Sequence, residues 1–217
     1  AAIGEVASVI IHEIKNPLGI IKISGNTLKK RYPEDARTVE ILGFIEEEVN
    51  RMNDTVTNFL DYAKPKHPIK RRYSVEELKA YLFNMRPEIE KEGHKLEINI
   101  SEGINNFEID PDHLKQMLLN LLINAKEAST HGSVIKVDVT FSEGDLEISV
   151  TDSGKGISEE VSKRLFDPFY TTKEHGTGLG LSVTKQLARI NNGDVKWENK
   201  PEGGTVFTIS LHNGDTI

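Results

Sequence analysis

Lys136-Val-Asp-Val-Thr-Phe-Ser-Glu-Gly-Asp-Leu-Glu-Ile-Ser-Val150 alternates apolar with polar side chains on both sides of Ser142-Glu-Gly-Asp145. A period of two puts Val137, Val139 and Phe141 on one face and gives Leu146, Ile148 and Val150 the same face across the turn. The stretch therefore reads as an antiparallel hairpin with one buried side. On either side of it, Leu96–Ile100, Val195–Trp197 and Phe207–Leu211 carry the same signature. Val75–Glu92, Asp112–Ser129 and Leu181–Asn192 follow the helical period instead, and Glu159–Phe166 reads as a shorter helix. Helices layered on one face of a largely antiparallel sheet give a two-layer α/β sandwich.

The first third of the chain lacks strand patterning. Val6, Ile10, Ile14, Leu18 and Ile21 recur at helical spacing until Tyr32-Pro-Glu-Asp35, where proline ends the run. Leu42, Ile45, Val49, Met52, Val56 and Phe59 then alternate three and four apart, the seam of a helix lying nearly parallel to its partners. Two long helices joined by a short turn form an antiparallel hairpin. Alone it leaves much apolar surface wet, so pairing of two hairpins into a dimeric four-helix bundle is expected; packing of one hairpin on its own C-terminal region is the alternative. Lys64-Pro-Lys-His-Pro-Ile-Lys-Arg-Arg72 is proline-punctuated and basic, as linkers are. The expected division is a helical hairpin over 1–66, a linker over 67–73 and a sandwich domain over 74–217. The whole is an α+β chain.

Composition narrows the partners. A net charge of −7 argues against nucleic acid, whose phosphates are bound by clustered Lys and Arg. The absence of cysteine excludes disulfides and cysteine–zinc sites and suits a reducing compartment. No apolar run approaches the ~20 residues that span a bilayer. The chain opens at Ala1 inside a helical pattern, without Met or a signal peptide, and so reads as part of something longer. The expectation is a cytoplasmic region that touches a membrane, if at all, only through a missing N-terminal part.

Three places in the second region carry polar chemistry. On the helix of Leu114, Met117, Leu118, Leu121, Leu122 and Ala125, the residues Gln116, Asn120, Asn124 and Glu127 form a polar track at spacings of three and four. Such a track faces either a ligand or water. The strand ending at Thr151 runs into Asp152-Ser-Gly-Lys-Gly-Ile157, where a carboxylate beside glycines suits a hydrogen bond to a buried amine but also suits an ordinary turn. Gly176-Thr-Gly-Leu-Gly180 precedes a helix, where free backbone N–H groups favour phosphate; a flexible connector has the same composition.

As an ordered set these pieces are specific. Asn120-Leu-Leu-Ile-Asn124-Ala, Asp152-x-Gly-x-Gly-Ile157, Phe166-Asp-Pro-Phe-Tyr170 and Gly176-Thr-Gly-Leu-Gly-Leu181 resemble the N, G1, F and G2 boxes of histidine-kinase ATPase domains, and Gly203-Gly-Thr205 fits the following glycine pair. The resemblance, covering Tyr73 to Leu211, implies the Bergerat-type ATP-binding fold of the GHKL superfamily. It implies Mg²⁺ on Asn124 with Asn120 in support, and the adenine amine on Asp152 beside Gly154, Gly156 and Thr205. The phosphates would lie on Lys173 and the backbone of Gly176, Thr177, Gly178, Leu179 and Gly180. One position departs from the pattern: many relatives carry Lys three residues after the metal-binding Asn, where this chain has Glu127 and has Lys126 next to it.

His12-Glu-Ile-Lys-Asn-Pro-Leu18 is similar to the H box of the same family's dimerisation and phosphotransfer domain. His12 and Asn16 share a helix face at i,i+4, and Glu13 is adjacent. An imidazole with an ordinary pKa of ~6.5 keeps a free ring-nitrogen lone pair near neutrality, and Glu13 suits the proton on the other nitrogen. Pro17 removes the helix hydrogen bond to the Glu13 carbonyl, which is expected to loosen that turn. The other histidines, His67, His94, His113, His131, His175 and His212, show no metal-ligand spacing. The resemblance implies ATP-dependent autophosphorylation on His12, transfer to an aspartate of a response regulator receiver domain, a homodimer, and a phosphatase role for Asn16. ATP-hydrolysing clamps of the superfamily carry a catalytic Glu where this chain has Asn120, which speaks against direct hydrolysis.

Overall fold

The computed structural model describes residues 2–64, 67–91, 93–103, 106–142, 145–173 and 176–212. The side chains of residues 2–10 and of His12, Asp54, Asp61 and Ser142 also lie outside the description. The chain forms two compact units, residues 1–66 and residues 67–217.

The first unit is the helical hairpin. Helix α1 runs Ala2–Arg31 and α2 runs Ala36–Ala63. Asp35 caps α2 by accepting from the backbone N–H groups of Arg37 (3.1 Å) and Thr38 (3.2 Å) and from the Thr38 hydroxyl (2.7 Å). The hydroxyl bond, with these backbone donors, holds the Asp35 carboxyl below its ordinary range. Helix α1 continues through Pro17, whose missing N–H leaves the Glu13 carbonyl without its usual donor. Between the helices Ile11, Leu18, Leu42 and Val49 are buried, and Lys22 Nζ donates to Asn50 Oδ1 at 2.8 Å. Ile14, Ile21, Ile45 and Met52, four further positions of the same seams, stay exposed, while Val56 and Phe59 are half-buried.

The second unit is the sandwich. Its main sheet is ordered β2-β4-β5-β7-β6, from strands Lys95–Ile100, Val134–Ser142, Asp145–Thr151, Thr205–His212 and Gly193–Asn199 respectively. Cross-strand register lines up the apolar positions: Val139 faces Ile148, Ile148 faces Ile209, and Val195 faces Ile209. That row makes one continuous greasy face, and α3 (Val75–Glu90), α4 (Pro111–Ala128) and α6 (Gly180–Ile190) pack against the sheet. The sheet is mixed, because β2 and β4 run parallel while the other three pairs are antiparallel. The turn at Glu143 and Gly144 lies outside the described residues.

Three local features differ from the sequence reading. Arg71–Ser74, at the end of the stretch read as linker, is strand β1, and it pairs with β3, Asn106–Ile109, in a separate two-stranded sheet. Ser74 at its end also caps α3 through a reciprocal bond with Glu77. The helix expected over Glu159–Phe166 is one turn, α5 Glu159–Ser162, followed by turns. Among the described residues no helix is long and apolar enough to cross a membrane.

Candidate functional site

Helix α4 begins at a Pro at its first turn and is capped by Asp110. It buries Leu114, Met117, Leu118, Leu121, Leu122 and Ala125, so the helical period turns Asn120, Asn124 and Glu127 toward a different side. Asn120 is half-buried and donates through Nδ2 to the Gly180 carbonyl (3.1 Å) and to Thr184 Oγ1 (3.2 Å), which ties α4 to the first turn of α6. One turn further on, the Asn124 Oδ1 accepts from Lys173 Nζ at 2.9 Å. The same ammonium bonds the Glu127 carboxylate.

Asp152 sits just past the end of β5 and is 4% exposed. Its Oδ1 accepts from the N–H of Gly154 (2.8 Å) and of Thr205 (3.1 Å), while its own N–H donates to the Thr205 carbonyl (2.9 Å). Both bonds to the carboxylate fall on one oxygen. Gly204, at φ +95°, lets β7 begin this close: a Cβ there would overlap the Asp152 carbonyl oxygen. The loop after Asp152 is pinned at two points. Ser153 N–H donates to Ser129 Oγ (3.2 Å), and Asn199 clasps Ile157 by accepting its N–H and donating to its carbonyl, each at 2.8 Å.

In the long segment before α6, Phe169 and Gly178 meet. Phe169 N–H donates to the Gly178 carbonyl at 3.0 Å. Gly178 has φ +67°, and a Cβ on it would meet the Phe169 backbone at 2.5 Å. Phe169 itself adopts φ 65°, a conformation that costs a bulky residue free energy and that this contact holds in place. Lys185 on α6 lies over the Phe166 ring at 4.2 Å. The loop thus meets α6 at its N-terminus, where Leu179 caps without a side-chain hydrogen bond. First-turn N–H groups of α6 are therefore not taken by a capping side chain, an arrangement that favours an anion. Glu174 and His175 in this loop lie outside the described residues.

In the hairpin, His12, Glu13 and Asn16 all belong to α1. Glu13 and Asn16 are exposed, and the His12 side chain lies outside the described residues.

Comparison with known proteins bears on the whole chain. Residues 2–68 match the family model of the His Kinase A (phospho-acceptor) domain, and residues 109–215 match that of the histidine kinase-, DNA gyrase B- and HSP90-like ATPases. The solved catalytic domain of the histidine kinase ThkA is 30% identical, with a TM-score of 0.59 over 65% of this chain and 96% of that one. The chain belongs to the histidine kinase family. It is 33% identical over 212 residues to the sensor histidine kinase ZraS of Salmonella typhimurium, covering 97% of this chain and 46% of that protein. It thus spans about half the length of the curated relatives it matches. ThkA solved in complex with the response regulator protein TrrA gives a TM-score of 0.70 at 27% identity, over 96% of this chain and 61% of that one. Full-length ShkA, solved in complex with AMPPNP, shares the fold, with a TM-score of 0.85 at 21% identity over 98% of this chain and 46% of that one.

Within this histidine kinase chain the structure gathers Asn120, Asn124, Lys173 and Gly180 where α4, α6 and the long loop meet. Asp152, Gly154 and Thr205 form a second cluster at the strand ends. Thr184 and Asn199 were not singled out by spacing, although each fixes a site element through a side-chain bond. Thr184 carried one usable signal, its place four residues after Gly180 on the same helix face. Asn199 carried none, since its partner Ile157 is 42 residues away.

Proposed function

We propose that this chain is the kinase core of a two-component sensor, binding Mg-ATP in the sandwich unit, phosphorylating itself on His12 and passing the phosphoryl group to an aspartate of a response regulator. The observation that carries the reading is the bond of the Lys173 ammonium to Asn124 Oδ1, on the helix next to a glycine-rich turn and the uncapped start of α6. An amide oxygen that accepts a lysine ammonium fits a hard divalent cation, which takes few protein ligands beside nucleotide phosphates. Mg²⁺ bound there would neutralise charge on the transferring phosphoryl group.

The chain's own residues divide the remaining work. Asp152 Oδ2 takes the adenine amine, while Oδ1 stays held by Gly154 and Thr205, and Gly156 lets backbone approach the base. Asn120 positions the start of α6 under the phosphates through Gly180 and Thr184. Lys173 and the Gly176, Thr177, Gly178, Leu179 and Gly180 backbone hold phosphate oxygens. One His12 ring nitrogen attacks the γ-phosphorus, its bond to the ADP oxygen breaks, and Glu13 takes the proton from the other ring nitrogen. Asn16, one turn on, positions water for removing phosphate from the partner.

The exposed stripe of Ile14, Ile21, Ile45 and Met52 supports a homodimer in which two hairpins form a four-helix bundle. A cytoplasmic setting follows from the use of ATP and of a receiver-domain partner. The test is incubation with γ-labelled ATP and Mg²⁺. Wild type should acquire an acid-labile, alkali-stable label and His12→Gln none; a variant that still labels removes His12 as the acceptor.

A further inference from the structure

The Lys173 ammonium occupies an unexpected place. It bonds Asn124 Oδ1 at 2.9 Å and the Glu127 carboxylate at once. Asn124 and Glu127 lie three residues apart on α4, so one helix face presents an amide oxygen and a carboxylate to the same donor. Lysine has three N–H bonds and satisfies both. The α4 lysine next to Glu127 does not take this role, for Lys126 Nζ reaches Glu88 at 3.4 Å. The cation comes instead from the long loop, 49 residues away from Asn124 in sequence. There Lys173 N–H is fixed by Thr171 Oγ1 at 3.1 Å.

We propose that Lys173 is a built-in counter-cation for the Asn124 seat, that Glu127 is the positioning residue that keeps it there, and that a divalent ion arriving with nucleotide must displace it. This rests on the nucleotide-binding reading of the same site and adds a regulatory step to it. A carboxylate near a triphosphate is repulsive, so Glu127 belongs to the empty state rather than the loaded one. When metal and phosphates enter, the ammonium exchanges Asn124 and Glu127 for phosphate oxygens. Glu127 then turns to water at small cost, being 46% exposed already. The ion pair is a latch between α4 and the loop, closed when the site is empty. Relatives with Lys at the Glu127 position would lack it, since two ammonium groups would repel.

The test uses Glu127→Gln in the 217-residue chain, an exposed isosteric change. Without nucleotide, amide hydrogen exchange at residues 171–173 should quicken in the variant. Saturating Mg²⁺ with a nonhydrolysable ATP analogue should bring both proteins to the same rates. The variant should bind that analogue about two- to fivefold more tightly with Mg²⁺, the scale of one exposed ion pair, and show a smaller change in EDTA. A merely structural role would alter exchange in both states alike and would overturn the proposal. Unchanged exchange would also overturn it, as would weaker binding with Mg²⁺, which would make Glu127 a support of the loaded site. If wild type binds the analogue normally in these cases, only the latch falls; a wild type that binds no nucleotide at all sinks the functional reading with it.

Discussion

The two units treat their apolar residues differently. In residues 67–217, Leu78, Leu82, Leu118, Leu122, Ile135, Val137, Ile148 and Ile209 have no measurable exposure. In the hairpin, Ile11, Leu18, Leu42 and Val49 are buried, while Ile14, Ile21, Ile45 and Met52 on the same two helices remain 40–45% exposed. The physical reason is the number of neighbours. A sheet covered by a layer of helices closes a core within one chain. Each helix of a hairpin has only one partner, so part of each apolar seam is left over. The sandwich closes its core within one chain, with Phe83 and Phe169 left exposed outside it, and the leftover seam of the hairpin is the surface that the proposed homodimer would cover.

The largest effect should come from cutting into the closed core. Leu118→Ala removes a fully buried side chain from α4, and such truncations cost about 2–5 kcal/mol. The single tryptophan, Trp197, lies on β6 and reports on this unit alone. In urea, the Trp197 transition should move to lower denaturant together with the part of the circular dichroism signal that α3, α4 and α6 supply, while the part lost with the hairpin helices stays in place. A shift of the whole circular dichroism signal with Trp197 would break the comparison by showing that the units unfold as one.

The leftover seam gives the second test. Ile45→Ala appears twice in a dimer, so about 2 kcal/mol of association free energy should be lost, which weakens self-association roughly tenfold to a hundredfold. Sedimentation across a concentration series would read this, with the Trp197 transition as a control that should not move. Unaltered association would place the partner on another surface of the hairpin.

How much of this was legible in the sequence depended on the range of the interaction. Period two over 136–150 and period three-four over α4 gave the strands and the helix, because burial of one face repeats locally. Arg71–Ser74 and Asn106–Ile109 escaped because four residues are too few to show a period, and each is a strand only through the other. Lys163–Phe166 was read as helix although the turn after α5 leaves it. At the site, spacing put Asn120, Asn124 and Glu127 on one track. It could not say that Asn120 bonds Gly180, 60 residues on, or that Lys173 would sit on Asn124 and Glu127. Those are facts of tertiary packing, which no local period encodes.

The smallest effect concerns the place where the sandwich takes hold of the chain that enters it. Asp110 caps α4 by accepting from Asp112 N–H (2.9 Å) and His113 N–H (3.2 Å), and its other oxygen accepts from Ile69 N–H at 2.7 Å. Burial pushes this carboxyl up, but those backbone donors and the neighbouring His113 outweigh it and hold the group below its ordinary range. Since the folded-state value lies under the unfolded one of ~3.9, the carboxylate's contribution is complete above that pH and is lost as pH falls through the folded value. Asp110→Asn keeps a competent cap but turns an amide toward one donor, so it should cost about 1 kcal/mol near neutrality. Urea midpoints read from Trp197 should show a constant gap between wild type and variant from pH 7 to 5, and a narrowing gap below about pH 4. A gap that persists undiminished at pH 3 would mean that shape rather than charge at Asp110 holds Ile69. The anchoring of residues 67–70 to α4 would then be insensitive to acid, in contrast to what the depressed carboxyl requires.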